Sequence, residues 1–330
     1  MKWRGMILRA LATPALLALT ASAPHVHAQS KYPDRAIRLI IPYAPGGATD
    51  IMGRKYAARV SPLLGQNLVV DNKAGANGVI GTTEAARAKP DGYTLLVGTS
   101  STHALNPTAM ENPPYDPVKD FMPIAVLGIV PIVIAVHPSV PAKTLQELIA
   151  VVKKNPKKYS YGSSGFGSIN HLAGELLQKQ IPGFVMQHVP YKGSGPSAID
   201  LIAGQIPLLV STFSSVSTHY KAGKLRILAV FSETRMAANP EIPTALESGV
   251  AGMLAYTYSI ICAPAGTPQS VIDTLSRATA QVILDKSFQN ESRDLGFESV
   301  DSNPEKASRF IREELARWAP IIKATGAKLE

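Results

Sequence analysis

Short apolar runs along the chain alternate with segments whose apolar residues recur every three or four positions. The apolar run Ala36–Pro42 predicts a strand, and Met52, Tyr56 and Val60, at four-residue spacing, predict the buried stripe of a helix. The alternation continues, which indicates a parallel sheet with helices on its faces. Further strands are predicted at 68–71, 93–97, 159–161, 185–189, 208–210 and 225–231, and further helices at 81–88, 144–154, 169–180, 270–283 and 304–323, with one more ending at 203.

Two apolar stretches, 124–137 and 256–263, are longer than a short strand requires. We interpret them as strands that cross between two structural units. On this interpretation residues 29–130 and 253–330 form a discontinuous first domain, and residues 131–252 form a second. A mature chain of about 300 residues is at the size where one hydrophobic core usually divides into two. The expected fold is therefore two α/β domains, joined by two crossing strands, with a cleft between them.

The first 28 residues have the order of a secretory signal peptide. Lys2, Arg4 and Arg9 precede an apolar stretch at 10–21, and Val26–Ala28 has the small-residue pattern of a cleavage site. The apolar run is too short, and too interrupted by Thr13 and Pro14, for a membrane-spanning helix, and a buried amino-terminal helix is the weaker alternative. We expect cleavage after Ala28 and a soluble periplasmic protein without a lipid anchor.

The excess of positive charge is modest and dispersed. The chain has 33 Lys and Arg against 24 Asp and Glu, and loss of the signal peptide leaves 30 cations, a net charge of about +6. The densest cationic group, at 153–158, is typical of a solvated helix end, and no aromatic residues interleave with it, so a nucleic-acid partner is not expected. A cationic background favours an anionic ligand through long-range attraction.

Cys262 is the only cysteine, so no internal disulfide can form. It lies in the apolar run 258–264, which predicts a buried strand where a thiol behaves as a small hydrophobe. A nucleophilic cysteine requires a more electropositive and exposed setting.

Three polar loops follow predicted strands, at 45–50, 98–101 and 162–168. In open α/β sheets, ligands bind outside the carboxyl ends of the strands. Two of these loops directly precede helices, whose amino termini present unpaired N–H groups suited to an anion. Two such sites facing each other fit a molecule with a carboxylate at each end. An alternative for any single loop is that the glycines serve tight turns and the hydroxyls serve as helix caps.

Individual polar residues leave several roles open. Asp50 is favourable at a helix amino terminus, and it could instead hold the loop or meet an amine of the ligand. His103 and His171 are more often structural than ligand-binding, and Lys192 could pair with a carboxylate or remain an exposed loop lysine.

Signatures of common enzyme classes are missing from the sequence. Gly162–Phe166 has phenylalanine where the closing glycine of a nucleophile elbow belongs. Phosphate-binding, metalloprotease and dinucleotide-binding motifs are absent, and the seven histidines and one cysteine form no metal-ligand spacing. We therefore expect no enzyme, no cofactor and no metal. A secreted α/β hydrolase that uses Ser163 or Ser164 is the runner-up.

The loops in their order along the chain carry a family resemblance. The mature chain resembles, nearly end to end, the Bug family of tripartite tricarboxylate transporter substrate-binding proteins (TctC-like). The stretches that match are Tyr32–Asp34, Ile41–Asp50, Ala88–Leu96, Tyr161–Ser168, His171–Glu175, His188–Gly193, Leu201–Gln205, Ala222–Arg226 and Ala263–Pro268.

The resemblance implies a two-domain periplasmic binding protein of the type II, flytrap kind, which closes on its ligand. It implies a small mono-, di- or tricarboxylate or an aromatic acid as ligand, and a membrane transporter with a large and a small subunit as partner. In the family, the loops that match Tyr43–Asp50 and Ser163–Ser168 hold the carboxylate ends. We expect a monomer. A ligand-sensing subunit that docks on a membrane receptor is an alternative that the sequence does not separate from transport.

Three residues depart from the family pattern. Ser211 and Thr212 stand where the family often has Asp-Asn, which suits a ligand without an amine, and Tyr258 stands where it often has Trp, which we expect to alter the size of the pocket. The loops and the resemblance together give the candidate ligand-binding residues. These are Tyr43, Pro45, Gly46, Gly47, Thr49, Asp50, Thr99, Ser100, Ser163, Ser164, Gly165, Gly167, Ser168, Tyr191, Lys192, Ser211 and Thr212.

Overall fold

The computed structural model describes residues 32–156 and 158–325. The predicted signal peptide and its cleavage site after Ala28 lie outside the described residues. Within these ranges, none of the helices combines the length and the apolar content that a bilayer crossing needs.

The described strands form one curled, mixed sheet. The strands are β1 Ile37–Ile41, β2 Leu68–Asn72, β3 Thr94–Gly98, β4 Phe121–Val136, β5 Ser160–Ser163, β6 Gln187–Pro190, β7 Leu208–Thr212, β8 Arg226–Val230 and β9 Tyr256–Pro264. Their order in the sheet is β2-β1-β3-β9-β4-β7-β5-β6, with β8 paired to β4. The pairs β1–β2, β1–β3, β5–β6 and β5–β7 are parallel, as the alternating pattern predicts, whereas β4 and β9 run antiparallel to their neighbours.

Helices connect the strands and cover the sheet. They are α1 Ala48–Leu64, α2 Val79–Ala86, α3 Asn106–Ala109, α4 Leu145–Lys154, α5 Ile169–Gln180, α6 Ser194–Ile202, α7 Phe213–Lys221, α8 Gln269–Leu284, α9 Lys286–Asp294 and α10 Pro304–Thr325. A short 3₁₀ turn at Ala76–Gly78 precedes α2, and a wide helical turn of the π type at Ser101–Leu105 follows β3.

The 16-residue strand β4 belongs to both ends of the sheet. Residues 121–131 pair with β9, and residues 132–136 pair with β7, with β8 on the other side from Val133. We call β1, β2, β3, β9 and residues 121–131 the first sheet half, and β5–β8 with residues 132–136 the second sheet half. These pairings show that β4 continues from one sheet half into the other, as predicted for a crossing strand, while the domain boundaries stay a prediction.

The return crossing differs from the prediction. β9 pairs with β3 and β4 of the first sheet half along its length. The chain returns one residue earlier, at Ala255, whose amide donates to Phe231 O and whose carbonyl accepts from the Ile132 amide. A buried strand and a crossing strand are both apolar along their length, so the pattern of 256–263 could not distinguish them.

A bulge at Gly128 bends β4 within the first sheet half. The register with β9 shifts between Val126 and Gly128. Gly128 has φ +158°, and a Cβ there would lie 3.0 Å from Glu298 O, whose carbonyl accepts from the Ile129 amide. Glycine therefore lets the segment that follows α9 approach β4 closely at Glu298.

Helix α5 begins and ends at the residues that the sequence predicts, because its amphipathic pattern and its cap agree. The Ser168 hydroxyl accepts from the His171 amide at the start of the helix. Leu177 is fully buried, whereas Leu172 and Leu176 are only partly buried against the core.

Helices α7 and α9 are not predicted from the sequence. α7 is rich in serine and threonine, and its buried face is formed partly by Ser214, Ser215 and Ser217. α9 buries only Phe288 and Ser292. Neither helix presents the continuous apolar stripe on which a periodicity argument depends.

The last helices were expected to pack on the first domain. α8 packs there, with Val271, Ile272 and Leu275 in the core cluster that contains β1. α10 bridges two clusters: Ile311 packs with residues of β9, and Trp318 packs in the cluster that contains α4 and α5. α10 also packs on α3 and on the turn at Ser101–Leu105, within the predicted first domain, and the domain assignment stays a prediction.

We expect Gly174→Ala to destabilise the protein by about 1–2 kcal/mol. A Cβ at Gly174 would overlap the ring of Tyr161, which is fully buried and donates a hydrogen bond to Glu175 Oε1 at 2.7 Å. Overpacking of this kind costs about 1–3 kcal/mol, part of which the higher helix propensity of alanine offsets. Urea unfolding measures the change. Lys179→Ala, on the exposed side of the same helix, is the control and should lie within about 0.5 kcal/mol of the parent; equal effects of the two changes would contradict the clash.

Candidate functional site

The first residues of four helices line one small chamber between the two sheet halves. Gly47–Thr49 begin α1, Ile169 and Asn170 begin α5, Ser194 begins α6, and Thr212 precedes α7. The chamber has a volume of about 30 Å³, and we call it the inner chamber. Its remaining lining comes from Tyr43, Thr99, Ser101, Ser164 and Thr257.

Three of these four helices begin without a side-chain cap. The residues before the first turn of α1, α6 and α7 are Gly47, Gly193 and Thr212, and none of their side chains accepts a hydrogen bond from the helix amides. At α1 the Ala48 amide instead donates to Ser215 Oγ, and Asp50 lies in the first turn. The first turns of α6 and α7 contain no acidic residue, so the positive ends of these two helix dipoles are not neutralised locally. The inner chamber is electrostatically suited to an anion, since its lining also contains no acidic side chain.

Polar side chains complete the inner chamber. Thr49, Thr99, Asn170 and Thr212 are all at least nine-tenths buried. Asn170 Nδ2 donates to Ser194 Oγ at 3.1 Å, while its Oδ1 has no hydrogen-bond partner among the described residues. A buried polar atom without a partner is costly in a folded protein. Because Oδ1 is an acceptor, a donor such as a water molecule or a ligand hydroxyl satisfies it, and a carboxylate does not.

A second, larger cavity opens beside the inner chamber. It has a volume of about 630 Å³, and we call it the outer chamber. The two chambers share Tyr43 and Ser164 in their walls. The outer chamber is further lined by Gly75, Ala76, Asn77, Gly78, Val79, Asn106, Met110, Gly165, Phe166, Pro190, Tyr191 and Lys192.

Tyr43 is fixed in the wall between the chambers. Its hydroxyl lies 3.1 Å from Thr99 Oγ1 and 3.4 Å from Asn77 O. Burial raises the pKa of Tyr43, so the phenol is neutral at physiological pH and keeps a proton to donate.

The two sheet halves touch directly beside the inner chamber. The Ala44 amide donates to Lys192 O at 3.2 Å, and the Ala48 amide donates to Ser215 Oγ at 3.0 Å. Gly195 lies so close to Pro45 that a Cβ there would overlap the Pro45 carbonyl oxygen. The contact is thus made by main chain against main chain.

Asp50 holds the loop before α1. Its carboxylate accepts from the Gly46 amide and from Arg54 at 3.0 Å, and from Asn72 Nδ2 at 2.9 Å. Burial by itself raises the pKa of Asp50, but these hydrogen bonds outweigh it and leave the pKa below its ordinary value. Of the roles that the sequence leaves open for Asp50, the contacts favour support of the loop, since the residue lines neither chamber.

Most hydroxyls of the Ser163–Ser168 loop are used within the loop. Ser163 Oγ donates to Gly165 O and accepts from the Gly165 amide at 3.1 Å, and Ser168 Oγ donates to Gly165 O at 2.7 Å. Ser164, in contrast, faces both chambers. The loop thus uses Ser163 and Ser168 for its own shape and presents Ser164.

A pair of stacked imidazoles lies beneath this loop. The rings of His171 and His188 are 3.9 Å apart at 18°, and the exposed Phe166 packs against both. His171 Nδ1 accepts from the Gly167 amide at 3.0 Å, and His188 Nε2 lies 2.7 Å from Ser163 Oγ. Both histidines therefore support the loop, as the structural alternative for His171 predicts.

Burial keeps these imidazoles neutral. It lowers the pKa of His188 to about 4, with a further contribution from the neighbouring His171. Burial also lowers the pKa of His171, while the Glu175 carboxylate, 3.8 Å from its Nε2, acts in the opposite direction.

His103 and Cys262 form a buried pair away from both chambers. Cys262 Sγ lies 3.7 Å from His103 Nε2, and His103 Nδ1 lies 2.9 Å from Thr102 Oγ1. Burial lowers the pKa of His103 to about 3 and raises the pKa of the Cys262 thiol. The thiol is thus protonated, as the prediction of a buried, unreactive cysteine requires.

The chain is similar to known proteins along nearly its whole length. The family model for the tripartite tricarboxylate transporter family receptor matches residues 52–327. The chain belongs to this receptor family. It is 35% identical over 323 residues to protein BugT of Bordetella pertussis, an alignment that covers 98% of this chain and 99% of BugT.

Solved structures of similar proteins share the fold of this receptor. An R. palustris protein with adipate is 34% identical, with a TM-score of 0.85, and the match covers 89% of this chain and 98% of that one. MatC from Rhodopseudomonas palustris with bound malate is 28% identical, with a TM-score of 0.82, and the match covers 88% and 100%. The fold class expected from the sequence, the two-domain periplasmic binding protein, is confirmed by these likenesses.

The structure brings about half of the predicted site residues to the two chambers of the receptor. Those that line a chamber are Tyr43, Gly47, Thr49, Thr99, Ser164, Gly165, Tyr191, Lys192 and Thr212. Those that line neither are Pro45, Gly46, Asp50, Ser100, Ser163, Gly167, Ser168 and Ser211. The second group shapes the walls: Ser100, for example, donates to Thr257 Oγ1 at 2.8 Å.

Several lining residues are not among the sequence predictions. In the inner chamber these are Ala48, Ser101, Ile169, Asn170, Ser194 and Thr257. Asn170 and Ser194 begin helices after glycine-containing loops, a signal that the sequence did offer. The outer chamber includes Gly75–Val79, part of the glycine-rich segment that follows β2 at the carboxyl end of a parallel strand, which is the usual place for a ligand.

Tyr258 is not part of the pocket wall, contrary to the expectation that it alters the size of the pocket. Its ring is fully buried and packs edge-on against Phe310, with ring centroids 4.8 Å apart, and it lines neither chamber. It faces the core on the α10 side, because alternate residues of a strand point to opposite faces. Its neighbour Thr257 faces the inner chamber.

Within the described residues, no group of three or more His, Cys, Asp or Glu side chains is arranged to hold a metal ion. The Ser163–His188 contact has the composition of a nucleophile and base. However, Ser163 is fully buried and lines neither chamber, so its hydroxyl has no access to a substrate there.

We expect acid to destabilise the protein through His188. In the unfolded chain histidine titrates at about pH 6.5, whereas the folded pKa of His188 is about 4. Between these values the unfolded state binds a proton that the folded state does not, so the free energy of unfolding falls as the pH is lowered from 6.5 to 4. The Tm of the parent protein therefore falls as the pH is lowered through this window. In His188→Gln we expect that fall to be smaller by about 2–4 °C, which corresponds to about 1 kcal/mol once the partial exposure of His188 is taken into account.

Differential scanning calorimetry at a series of pH values measures this contribution. The matched control is His219→Gln, since His219 lies in the last turn of α7, whereas the stacked pair lies in α5 and β6. Identical pH dependences of the parent and of His188→Gln would show that His188 does not resist protonation in the folded state.

Proposed function

We propose that this receptor is a periplasmic solute-binding protein that captures a small carboxylate for uptake, and that it is not an enzyme. The observation that carries the proposal is the inner chamber, where the amino termini of α1, α5, α6 and α7 meet. The positive ends of α5, α6 and α7, whose first turns contain no acidic residue, favour a carboxylate over a cation or a neutral sugar. Buried hydroxyls and the absence of acidic lining residues act in the same direction.

The similar proteins support the same ligand class. One of their solved structures is with adipate and another is with bound malate, both of which are carboxylates. The dispersed positive charge of the chain adds a weak long-range attraction for anions.

Binding would close the two domains on the ligand. We propose domain boundaries at 29–130 with 253–330 for the first domain, and 131–252 for the second. The position where β4 changes partners, between Pro131 and Ile132, supports the first of these boundaries. Hinge closure of this kind places the ligand between loops of both domains, and the Ala44–Lys192 hydrogen bond joins those loops.

The setting of the protein follows from the same proposal. We propose cleavage after Ala28, a location in the periplasm, a monomeric state, and delivery of the ligand to large and small membrane subunits of a transporter. The family description, a transporter receptor, supports the membrane partner, and the charged and apolar pattern of residues 1–28 supports the secretion signal.

A thermal-shift panel of small carboxylates tests the function. A ligand at about 100 times its Kd should add about 2.7 kcal/mol to the stability of the mature protein. Thr49→Val removes a hydroxyl from the inner chamber at constant size, and loss of one hydrogen bond to an anion should weaken binding by about 10- to 100-fold. Isothermal calorimetry measures the affinities.

Thr274→Val is the matched control for Thr49→Val. Thr274 lies in α8, its hydroxyl donates to Ser270 O, and it lines neither chamber. We expect its carboxylate affinity to equal that of the parent. The proposal fails if no small acid raises the Tm while the mature protein hydrolyses an ester, since that result would favour a hydrolase.

A further inference from the structure

The shape of the Ser163–Ser168 loop depends on a hydrogen bond to the helix that follows it. Nδ1 of His171, in the first turn of α5, accepts from the Gly167 amide at 3.0 Å. Gly167 has φ +70°, a left-handed conformation suited to glycine, so the loop turns sharply at this point. Ser164 and Gly165, just before it, line the chambers. The hydrogen bond therefore fixes a part of the chamber wall.

This hydrogen bond also fixes the tautomer of His171. A backbone N–H group only donates, so Nδ1 must present its lone pair, and the proton of the neutral ring must sit on Nε2. A second proton can enter the ring only at Nδ1, the atom to which the Gly167 amide donates. Protonation of His171 therefore breaks the hydrogen bond and turns two N–H groups toward each other.

The stacked partner, His188, differs in this respect. Ser163 Oγ donates its one proton to Gly165 O and accepts from the Gly165 amide, so its contact of 2.7 Å with His188 Nε2 is a hydrogen bond that the imidazole donates. Neutral His188 thus also carries its proton on Nε2, and a second proton enters at Nδ1. Protonation of His188 leaves its hydrogen bond to Ser163 intact, whereas protonation of His171 does not leave the loop intact.

The groups that face the pair direct a proton to His171. On α5, the Glu175 carboxylate lies 3.8 Å from His171 Nε2 and favours a cation there. On β5, Tyr161 donates to Glu175 and stays neutral, because burial raises its pKa. On β6, the His188 ring is stacked at 3.9 Å, so a second cation would be repelled. Lys192, after β6, lines the outer chamber and forms no ion pair among the described residues.

Burial opposes the proton while the loop keeps its shape. The pKa of His171 lies below its ordinary value, because the effect of burial outweighs that of Glu175. An imidazole released into water titrates at about pH 6.5. The open loop therefore binds a proton more readily than the ordered loop, and each pH unit below about 6.5 shifts the balance toward the open form by at most about tenfold.

We propose that His171 is a positioning residue that holds the Ser163–Ser168 loop in its binding shape only while its imidazole is neutral, so that acid opens the loop and weakens carboxylate capture. The effect on affinity rests on the proposed function, whereas the effect on the loop needs no ligand. The proposal assigns the response of the receptor to the pH of its surroundings to a side chain that lines neither chamber.

The loop is tested first in the ligand-free mature protein. NMR of the imidazole nitrogens should show His171 with its proton on Nε2 at about pH 7.5. Between about pH 7.5 and about pH 5.5, the protection of the Gly167 amide against hydrogen exchange should fall at least about fivefold, after correction for the intrinsic exchange rate. The amide of Leu177, a buried residue of the same helix, should keep its protection.

Three results of these measurements would overturn the inference. A proton on His171 Nδ1 at about pH 7.5 contradicts the hydrogen bond from Gly167. Equal protection of Gly167 at both pH values shows that acid does not open the loop. Equal losses at Gly167 and Leu177 show that the whole helix opens.

His171→Asn separates the hydrogen bond from the titration. The side-chain oxygen of asparagine stands where histidine has Nδ1 and accepts a hydrogen bond, but it binds no proton in this pH range. The protection of Gly167 should then be equal at both pH values. His171→Leu lacks the acceptor and should lose about five- to tenfold of this protection already at about pH 7.5. A fall with acid in His171→Asn that equals the fall in the parent would contradict the role of His171.

Isothermal calorimetry with butanedioate and with benzoate, at constant ionic strength, measures the effect on capture. Between the two pH values, the affinity of the parent should fall about three- to tenfold more than that of His171→Asn. The titration of the acid itself is common to both proteins and cancels in this comparison. An affinity that rises in the parent relative to His171→Asn would overturn the proposal, because the imidazolium would then attract the ligand instead of opening the loop.

His137→Asn is the matched control. Nδ1 of His137 also accepts from a backbone amide, that of Ser139 at 3.2 Å, and His137 lines neither chamber. Its pH dependence of affinity should equal that of the parent, and a change as large as that in His171→Asn would count against a specific role of His171.

The two readouts separate the failure of this inference from that of the function. If an acid binds with the same pH dependence in the parent and in His171→Asn, carboxylate capture stands and the inference is overturned. If no acid of the wider panel binds or raises the Tm, the proposed function fails, and hydrogen exchange of Gly167 still decides whether His171 opens the loop.

Discussion

The antiparallel pairing of β4 with β9 is the constraint on which the rest of the structure depends. β4 carries one continuous backbone from the first sheet half into the second, and its fully buried residues leave no freedom to shift register. Because the two halves are built on one strand, the loops at their facing edges are brought to a common point. The amino termini of α1, α5, α6 and α7 meet there, although up to about 165 residues separate them in sequence.

This arrangement makes the inner chamber suitable for an anion although no cationic side chain lines it. Its positive potential comes from main-chain dipoles, and its directional contacts come from hydroxyls and from Asn170. Groups of this kind are fixed by the fold and lose little entropy on binding. The surrounding residues that line no chamber, such as Asp50, Ser163 and His171, keep the loops in the required shape. Recognition and support are thus divided between adjacent residues of the same short loops.

Much of the fold follows from the sequence because its signals are local. The amphipathic stripe and serine cap of α5 define that helix to the residue, and the length of 124–137 shows that β4 crosses. Helices α7 and α9 escape prediction because tertiary contacts, not a continuous apolar stripe, make them stable. For the site, sequence identifies the loops but not which side chains turn inward: Ser163 and Ser164 are adjacent and chemically identical, and only the second faces a chamber. Tyr258 and Thr257 differ in the same way, by the alternation of a strand.

The contact of Gly195 with Pro45 has a consequence for how the affinity is set. No side chain separates the two loops there, so the closest approach of the sheet halves is limited by van der Waals contact between backbones. Any larger residue at position 195 would act as a wedge and reduce the fraction of molecules in the closed form. The apparent affinity falls in proportion to that fraction, even if every group that touches the ligand is unchanged. Binding strength in this receptor can therefore be tuned from a position outside both chambers, with the choice of ligand preserved.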